Sequence, residues 1–400
     1  MAILGQNELA LECIDKAIGL NQEDFQVWFN KGAVLLGLGQ NEKAIECFDK
    51  AIGLDPVDLQ AWYNKGIALT CLGDLGSAIG CFDKALNLNP RDASIWFIKG
   101  ITYVDLELFG KAIECFDKAI ELNPNQWENW QYKGMALGEL DLHGEGLICF
   151  NKAIELDPNN FETWYNKGVA LSELGRYEDA ISCLDRSIEL KPDYPWQWHA
   201  KGMCLAIIGN HSEAIKCLDR EIELDPEIVD TWYTKGVVLS ELDRIKESLE
   251  CFDKAIELRP EDQEIWLYKG HNLGILGRSE EAIECFDKVI GINPNNMEGL
   301  LNKGIALGEM GRYIEAISAF DKAIDIDPQS LDAWNVKGDV LSKQGKFDEA
   351  IKAYDKAIEI DPHYADAWNN KGLVLNRLER KSEANIAFLK AKELGYKSSI

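Results

Sequence analysis

Residues 59–92 read LQAWYNKGIALTCLGDLGSAIGCFDKALNLNPRD, and this stretch decides the fold. Apolar Ala61, Trp62, Ile67, Ala68 and Leu69 fall broadly at helical spacing until Gly73 breaks the pattern. A second amphipathic run follows in Ala78, Ile79, Phe82, Ala85, Leu86 and Leu88. It stops ahead of Pro90, because the residue before a proline is pushed out of the α region. The stretch is a helical hairpin. Gly66 sits in the middle of its first helix, where glycine costs about 1 kcal/mol against alanine. Repeated along the chain, that cost predicts a close approach by a neighbouring backbone at this position.

The same hairpin recurs without insertion or deletion. Tryptophan stands every 34 residues at Trp28, Trp62, Trp96, Trp130, Trp164, Trp198, Trp232, Trp266, Trp334 and Trp368, and Leu300 fills the one gap in the grid. Four residues after each of these comes a glycine preceded by a lysine, from Lys31–Gly32 to Lys371–Gly372. A fixed period means one supersecondary unit stacked in a line, each copy burying its apolar face on its neighbours. The units are 25–58, 59–92, 93–126, 127–160, 161–194, 195–228, 229–262, 263–296, 297–330, 331–364 and 365–398. Residues 1–24 form a half repeat: Gly5–Leu20 matches Gly39–Leu54 almost residue for residue, a second helix without its first. The expectation is an all-α solenoid of 23 helices.

Composition narrows the function. The net charge of −26 argues against nucleic acid or an anionic membrane as partner. No apolar run is long enough to span a bilayer, and no signal peptide or low-complexity linker is visible. A cytoplasmic protein is expected. Nine of the eleven cysteines share one column: Cys13, Cys47, Cys81, Cys115, Cys149, Cys183, Cys217, Cys251 and Cys285. Packed helices lie about 8–10 Å apart, too far for equivalent cysteines to bridge. They read as small buried apolar residues, replaced by Ala319, Ala353 and Ala387 further on. No nucleophile–base motif, phosphate loop or metal-ligand spacing appears, so no catalytic residue, cofactor or metal is expected.

Two charged columns run beside the tryptophans. One holds the lysines. The other holds Asp15, Asp49, Asp83, Asp117, Asp185, Asp219, Asp253, Asp287, Asp321 and Asp355, with Asn151 its neutral member and Leu389 in the last unit. Each aspartate either faces the lysine of the next unit or is solvated independently. Exposed pairs of this kind contribute only about 0–1 kcal/mol each.

In the first full unit, Trp28, Gly32, Gly39, Ala44, Phe48, Ala51 and Pro56 resemble the tetratricopeptide repeat, and the resemblance extends in phase over almost the whole chain. Acidic residues replace the turn glycine at Glu107, Asp141, Asp243 and Glu379. The resemblance implies an α-solenoid wound as a right-handed superhelix, with the first helix of each unit lining a concave groove. Such arrays usually bind peptides or proteins and have no chemistry of their own.

The family's ligand-facing positions are mainly 2, 5, 6, 9, 12 and 13 of each unit. Carried over, they place Phe29, Asn30, Tyr63, Asn64, Ile67, Phe97, Ile98 and Ile101 in an apolar wall over the first three units. Unit six adds Trp196, His199, Met203 and Ile207. Acids dominate from unit four onward: Glu128, Glu139, Glu162, Glu173, Asp230, Glu241, Glu264, Glu298, Glu309, Asp332, Asp339 and Asp366, opposed only by Lys343 and Arg377. Asn30, Asn64, Asn166, Asn302 and Asn370 share position 6, and a side-chain amide both donates and accepts. The row resembles the asparagine ladder in the repeats of some peptide-modifying transferases; the alternative is that the repeat consensus simply favours asparagine there. The basic residues with which other such repeats clamp a carboxylate are missing. The aromatic anchors are Tyr63, Phe97, Trp196 and Tyr233, unless they pack against adjacent helices instead.

The ends differ. Positions 21 and 28, apolar in the preceding units, become Asn385 and Lys392, the polar outer face a terminal cap needs. Ala10, Ile14 and Ala17 lack the cover of a first helix. Either the chain is a fragment of a longer array or another surface covers that edge. The leading expectation is a non-catalytic scaffold for a basic or amphipathic protein or peptide. The alternatives are a structural protein self-associating through the N-terminal edge and the regulatory array of a larger enzyme.

Overall fold

The computed structural model describes residues 2–396, which form 23 α-helices; no strand occurs among the described residues. The helices divide into two compact units, residues 1–208 and 209–400. The first holds α1 (Ala2–Leu20), then α2 (Phe25–Gly37) with α3 (Asn41–Leu54), α4 (Leu59–Cys71) with α5 (Leu75–Leu88), and α6 (Ala93–Asp105) with α7 (Phe109–Leu122). It continues through α8 (Trp127–Gly138) with α9 (His143–Leu156), α10 (Phe161–Glu173) with α11 (Tyr177–Leu190), and α12 (Pro195–Ile207). The second begins at α13 (His211–Leu224), followed by α14 (Val229–Glu241) with α15 (Ile245–Leu258) and α16 (Gln263–Ile275) with α17 (Ser279–Ile292). It ends with α18 (Met297–Glu309) and α19 (Tyr313–Ile326), α20 (Leu331–Lys343) and α21 (Phe347–Ile360), and α22 (Ala365–Arg377) and α23 (Lys381–Glu393). Each unit is a helical solenoid in which a helix packs on its sequence neighbours.

Local chemistry sets the helix ends. Asp58 caps α4 by accepting from the Ala61 amide at 2.7 Å, and Asn160 caps α10 by accepting from Thr163 at 2.8 Å. Second helices stop where the residue before proline turns extended, as at Asn89 with φ −139° and ψ 91°. The turn inside the hairpin needs a left-handed residue. Gly39 and Gly73 supply it at φ 71° and 80°, while Glu107, Asp141, Asp243 and Glu379 are held near 58–60°.

The mid-helix glycines admit a ring, not a backbone, which corrects the expectation from sequence. A Cβ at Gly66 would lie 2.5 Å from Cε1 of Phe82, and one at Gly100 would lie 2.6 Å from Cε1 of Phe116. The phenyl group of the second helix packs directly against the glycine of the first, and Phe48, Phe82 and Phe116 are completely buried. At Gly168 the intruder is Leu184.

Successive hairpins are tied by side chains. The Trp62 indole donates to the Pro56 carbonyl at 3.0 Å, and Trp96, Trp164 and Trp232 repeat the bond to Pro90, Pro158 and Pro226. Leu300 cannot make it and is instead buried to 2% exposure. The two charged columns do face one another. Lys65 pairs with Asp49 at 2.5 Å, Lys99 with Asp83 at 2.6 Å and Lys371 with Asp355 at 2.5 Å, each lysine reaching back to the preceding hairpin. These aspartates remain roughly half exposed, so each bridge contributes at most about 1 kcal/mol.

All eleven cysteines are free thiols; in the column Cys13 is exposed and the other eight are buried. Burial pushes the thiols of Cys115, Cys149, Cys251 and Cys285 up to about 11. On α1, Ala10, Ile14 and Ala17 are partly exposed, whereas the equivalent Ala44, Phe48 and Ala51 are completely buried. At the other end Asn385 and Lys392 are exposed, together with Ile386 and Leu389.

Three outcomes are expected. Gly100→Ala should lower the urea midpoint, because an overpacking cost of about 1–3 kcal/mol exceeds the helix-propensity gain of about 1 kcal/mol. Glu107→Gly should raise it, by relieving a left-handed residue that costs about 1 kcal/mol. In native protein at mildly alkaline pH, a maleimide should label Cys13 and Cys71 first, both being exposed. Equal labelling rates for the eight buried column thiols would contradict their assignment to the core.

Candidate functional site

Within each compact unit the first helices approach one another across the hairpins: α2 meets α4, α8 meets α10 and α10 meets α12. In residues 209–400 the same holds for α14 with α16, α16 with α18, α18 with α20 and α20 with α22. The second helices make no comparable approach among the described residues. The first helices therefore form the tighter, inner layer of each unit, and their free face carries the candidate residues.

In residues 1–208 the aromatic positions are half engaged. Phe29 stacks on Phe25 at 5.9 Å and leans on Phe48, Tyr63 tilts against Phe82 at 6.2 Å, and Phe97 meets Phe116 and, edge-on at 5.3 Å, Tyr132. One side of each ring closes the hairpin core. Trp196 differs, with 44% of its surface exposed, while His199 beside it is half-buried. In residues 209–400, Tyr233 repeats the three-ring arrangement with Phe252 and Tyr268, and its hydroxyl donates to Glu264 at 2.6 Å. Burial first, then that carboxylate, raises the Tyr233 phenol well above its ordinary range. Tyr63, Phe97 and Tyr233 are thus structural on one side; Trp196 is the most open of the four.

The asparagine row is not uniform. Asn30 accepts from the Gln26 amide at 3.0 Å, and Asn370 donates to Asn335 and to Asp339 at 3.2 and 3.1 Å. Among the described residues Asn64, Asn166 and Asn302 make no side-chain hydrogen bond within the chain, leaving both amide functions available. The sequence places Asp339 among the groove acids but does not show that Tyr354 and Asn370 bond to it. Tyr354 stands where most units have Phe, and its hydroxyl donates to Asp339 at 2.7 Å. Burial raises the Asp339 carboxyl, and the Tyr354 bond offsets part of that rise. A hydroxyl at a ring position paired with an acid at position 9 was the available signal.

The acids separate by partner. Asp230 pairs with Arg259 at 3.2 Å and Glu241 lies 3.6 Å from His211. Among the described residues Glu139, Glu162 and Glu173 of the first unit, and Glu298 and Glu309 of the second, form no salt bridge. All five are exposed. No group of three metal-ligating side chains occurs among the described residues, and none of their helices is long and apolar enough to cross a membrane.

Models of the tetratricopeptide repeat match residues 25–57, 59–92, 93–126, 229–262 and 298–330. Two further models of that repeat match 128–160, 198–228 and 263–296, and 149–182 and 319–352. A TPR repeat model matches 338–378. No curated protein matches the chain. Among solved structures the chain is similar to YrrB, described as a TPR protein with an unusual peptide-binding site, at 27% identity and TM-score 0.40, over 46% of this chain and 94% of that one. It is similar to MamA of Desulfovibrio magneticus RS-1 at 22% identity and TM-score 0.41, over 42% and 95%. It is also similar to the APC/C Cut9–Hcn1 hetero-tetramer at 15% identity and TM-score 0.42, over 98% and 92%. With repeat models matched along most of its length and a helical hairpin under each of them, the chain belongs to the tetratricopeptide repeat family and is built as a protein-interaction scaffold.

Proposed function

We propose that the first-helix face binds a basic or amphipathic polypeptide and that the chain catalyses no reaction of its own. The observation that carries this reading is the contrast in charge pairing. Aspartates of the second helices are neutralised by the lysine column, as in Lys133–Asp117 and Lys303–Asp287, both at 2.5 Å. The exposed Glu162, Glu173, Glu298 and Glu309 of the first helices, and Glu139 just past the end of α8, have no such cation among the described residues. A face of solvated carboxylates beside an open indole attracts lysine and arginine, and it repels acidic partners. Asn64 and Asn166 add amides that can hold a peptide main chain without reading its sequence. Free thiols throughout support a reducing compartment, the cytoplasm.

Short random peptides displayed on phage and selected on the protein should be enriched in Lys and Arg beside apolar residues. Trp196→Ala should weaken the peptides that engage the first unit by about tenfold or more. Glu162→Gln with Glu173→Gln should flatten the salt dependence of those peptides, since exposed charges are screened beyond about 8 Å at physiological ionic strength. Peptides enriched in Asp and Glu, or binding unchanged in both variants, would exclude the first-helix face.

Self-association is a second reading, favoured by the partial exposure of Ala10, Ile14 and Ala17, whose counterparts in α3 are completely buried. A second copy of the chain is the occupant that this face would take. Ile14→Lys should then lower the sedimentation coefficient at high concentration with helicity unchanged. A wild-type chain that sediments as a monomer at every concentration removes this reading.

A further inference from the structure

The last turn of α16 carries a glycine that packing does not require. At Gly270, one turn earlier, a Cβ would lie 2.6 Å from Cε1 of Phe286, so glycine is obligatory there. At Gly274 a Cβ would meet nothing within 4 Å. Thr70, Ser172, Ser240 and Ser342 fill the equivalent place in four other first helices; Gly138 and Gly308 share the glycine, but at Gly308 a Cβ would lie 2.8 Å from Val340. The missing side chain opens a cavity of 360 Å³ between α16 and α18, lined by His271, Gly274, Ile275, Asn302, Ile305 and Glu309. That volume lies at the small end of ligand-binding clefts, about 300–1,000 Å³.

The walls have a definite chemistry. Ile275 is 54% exposed and Ile305 is 40% exposed, and both border the cavity. Ile275 occupies the place held by Glu241 on α14 and by Glu309 on α18, so an apolar step interrupts an acidic column. Apolar surface rimmed by charge marks an interaction site more often than a scattered exposed residue does. Asn302, on the rim, uses neither function of its amide within the chain among the described residues. Glu309 has no salt bridge among them.

We propose that this cavity is a specificity subsite that takes one aliphatic side chain of a bound polypeptide, flanked in that polypeptide by lysine or arginine. The aliphatic group fills the space over Gly274 between Ile275 and Ile305. The Asn302 amide donates to a carbonyl and accepts from an N–H of the peptide main chain. The Glu309 carboxylate pairs with the adjacent cation. The chemistry selects against a small polar residue at the centre, which would leave the two isoleucines wet, and against an acidic neighbour, which Glu309 repels. The inference rests on the reading of the first-helix face as the binding surface.

The test selects displayed random peptides on the wild-type chain and measures each against variants by fluorescence anisotropy. Gly274→Leu fills the cavity from a site with room for a Cβ, so circular dichroism and melting should be unchanged or improved. Peptides with a Leu, Ile, Val or Met flanked by Lys or Arg should dominate, and many should bind Gly274→Leu about tenfold more weakly. Ile305→Ser should weaken the same peptides by removing an apolar wall without adding bulk. Glu309→Gln should weaken them less and reduce their salt dependence. Peptides that bind Gly274→Leu and Ile305→Ser as tightly as wild type overturn the subsite. If those peptides still respond to Trp196→Ala or to the Glu162→Gln, Glu173→Gln pair, the wider first-helix reading survives that failure. Absence of any enriched peptide, or indifference to every one of these variants, overturns both.

Discussion

The fit of one aromatic ring onto one glycine sets the distance between the two helices of most hairpins. Phe82 on Gly66, Phe252 on Gly236 and Tyr354 on Gly338 repeat the arrangement, and any Cβ would intrude to 2.5–2.6 Å of the ring. With that separation fixed, the alanine columns close to zero exposure at Ala44, Ala78 and Ala112. The core of each repeat is therefore small residues facing one large ring, with little tolerance on either side. Helix propensity is sacrificed to reach it, and burial of the ring more than offsets the loss.

A second set of interactions carries order from one hairpin to the next. The tryptophan indole holds the proline carbonyl of the preceding loop, and the lysine three residues on reaches the aspartate of the preceding second helix. Lys65 also lies 5.9 Å from the centre of the Trp62 ring, so indole, ammonium and carboxylate form one ladder. Individually these contribute little. Because they recur at most junctions, with Leu300 and Asn151 the exceptions, they fix the register in which hairpins stack, and stacking is where a repeat array gains its stability. The aspartate column of the second helices is thus spent on internal pairing, whereas Glu162, Glu173, Glu298 and Glu309 of the first helices form no salt bridge among the described residues.

Much of the fold was legible because the period never slips: 23 helices, the proline stops and the exposed Cys13 all follow from the 34-residue grid. The glycine column revealed that something approaches, though not that it is a ring, because spacing alone does not tell which side chain crosses between two helices. The candidate site was less legible. Positions alone placed Tyr63, Phe97 and Tyr233 on the free face, yet each also seals its own hairpin. Asp230 stands among the groove acids in the sequence, yet Arg259, 29 residues away, pairs with it. The cavity over Gly274 depends on a side chain that is missing, and only three-dimensional neighbours distinguish a glycine that is required from one that leaves space.

The claim on which this account turns is that partner binding falls on the first helices and spares the second. Hydrogen exchange followed by mass spectrometry, with and without a saturating basic peptide selected on the protein, measures this directly. The account predicts slower exchange in first helices such as α10, α12, α16 and α18, with the second helices unchanged. Protection confined to second helices such as α7, α11 or α17 would contradict it.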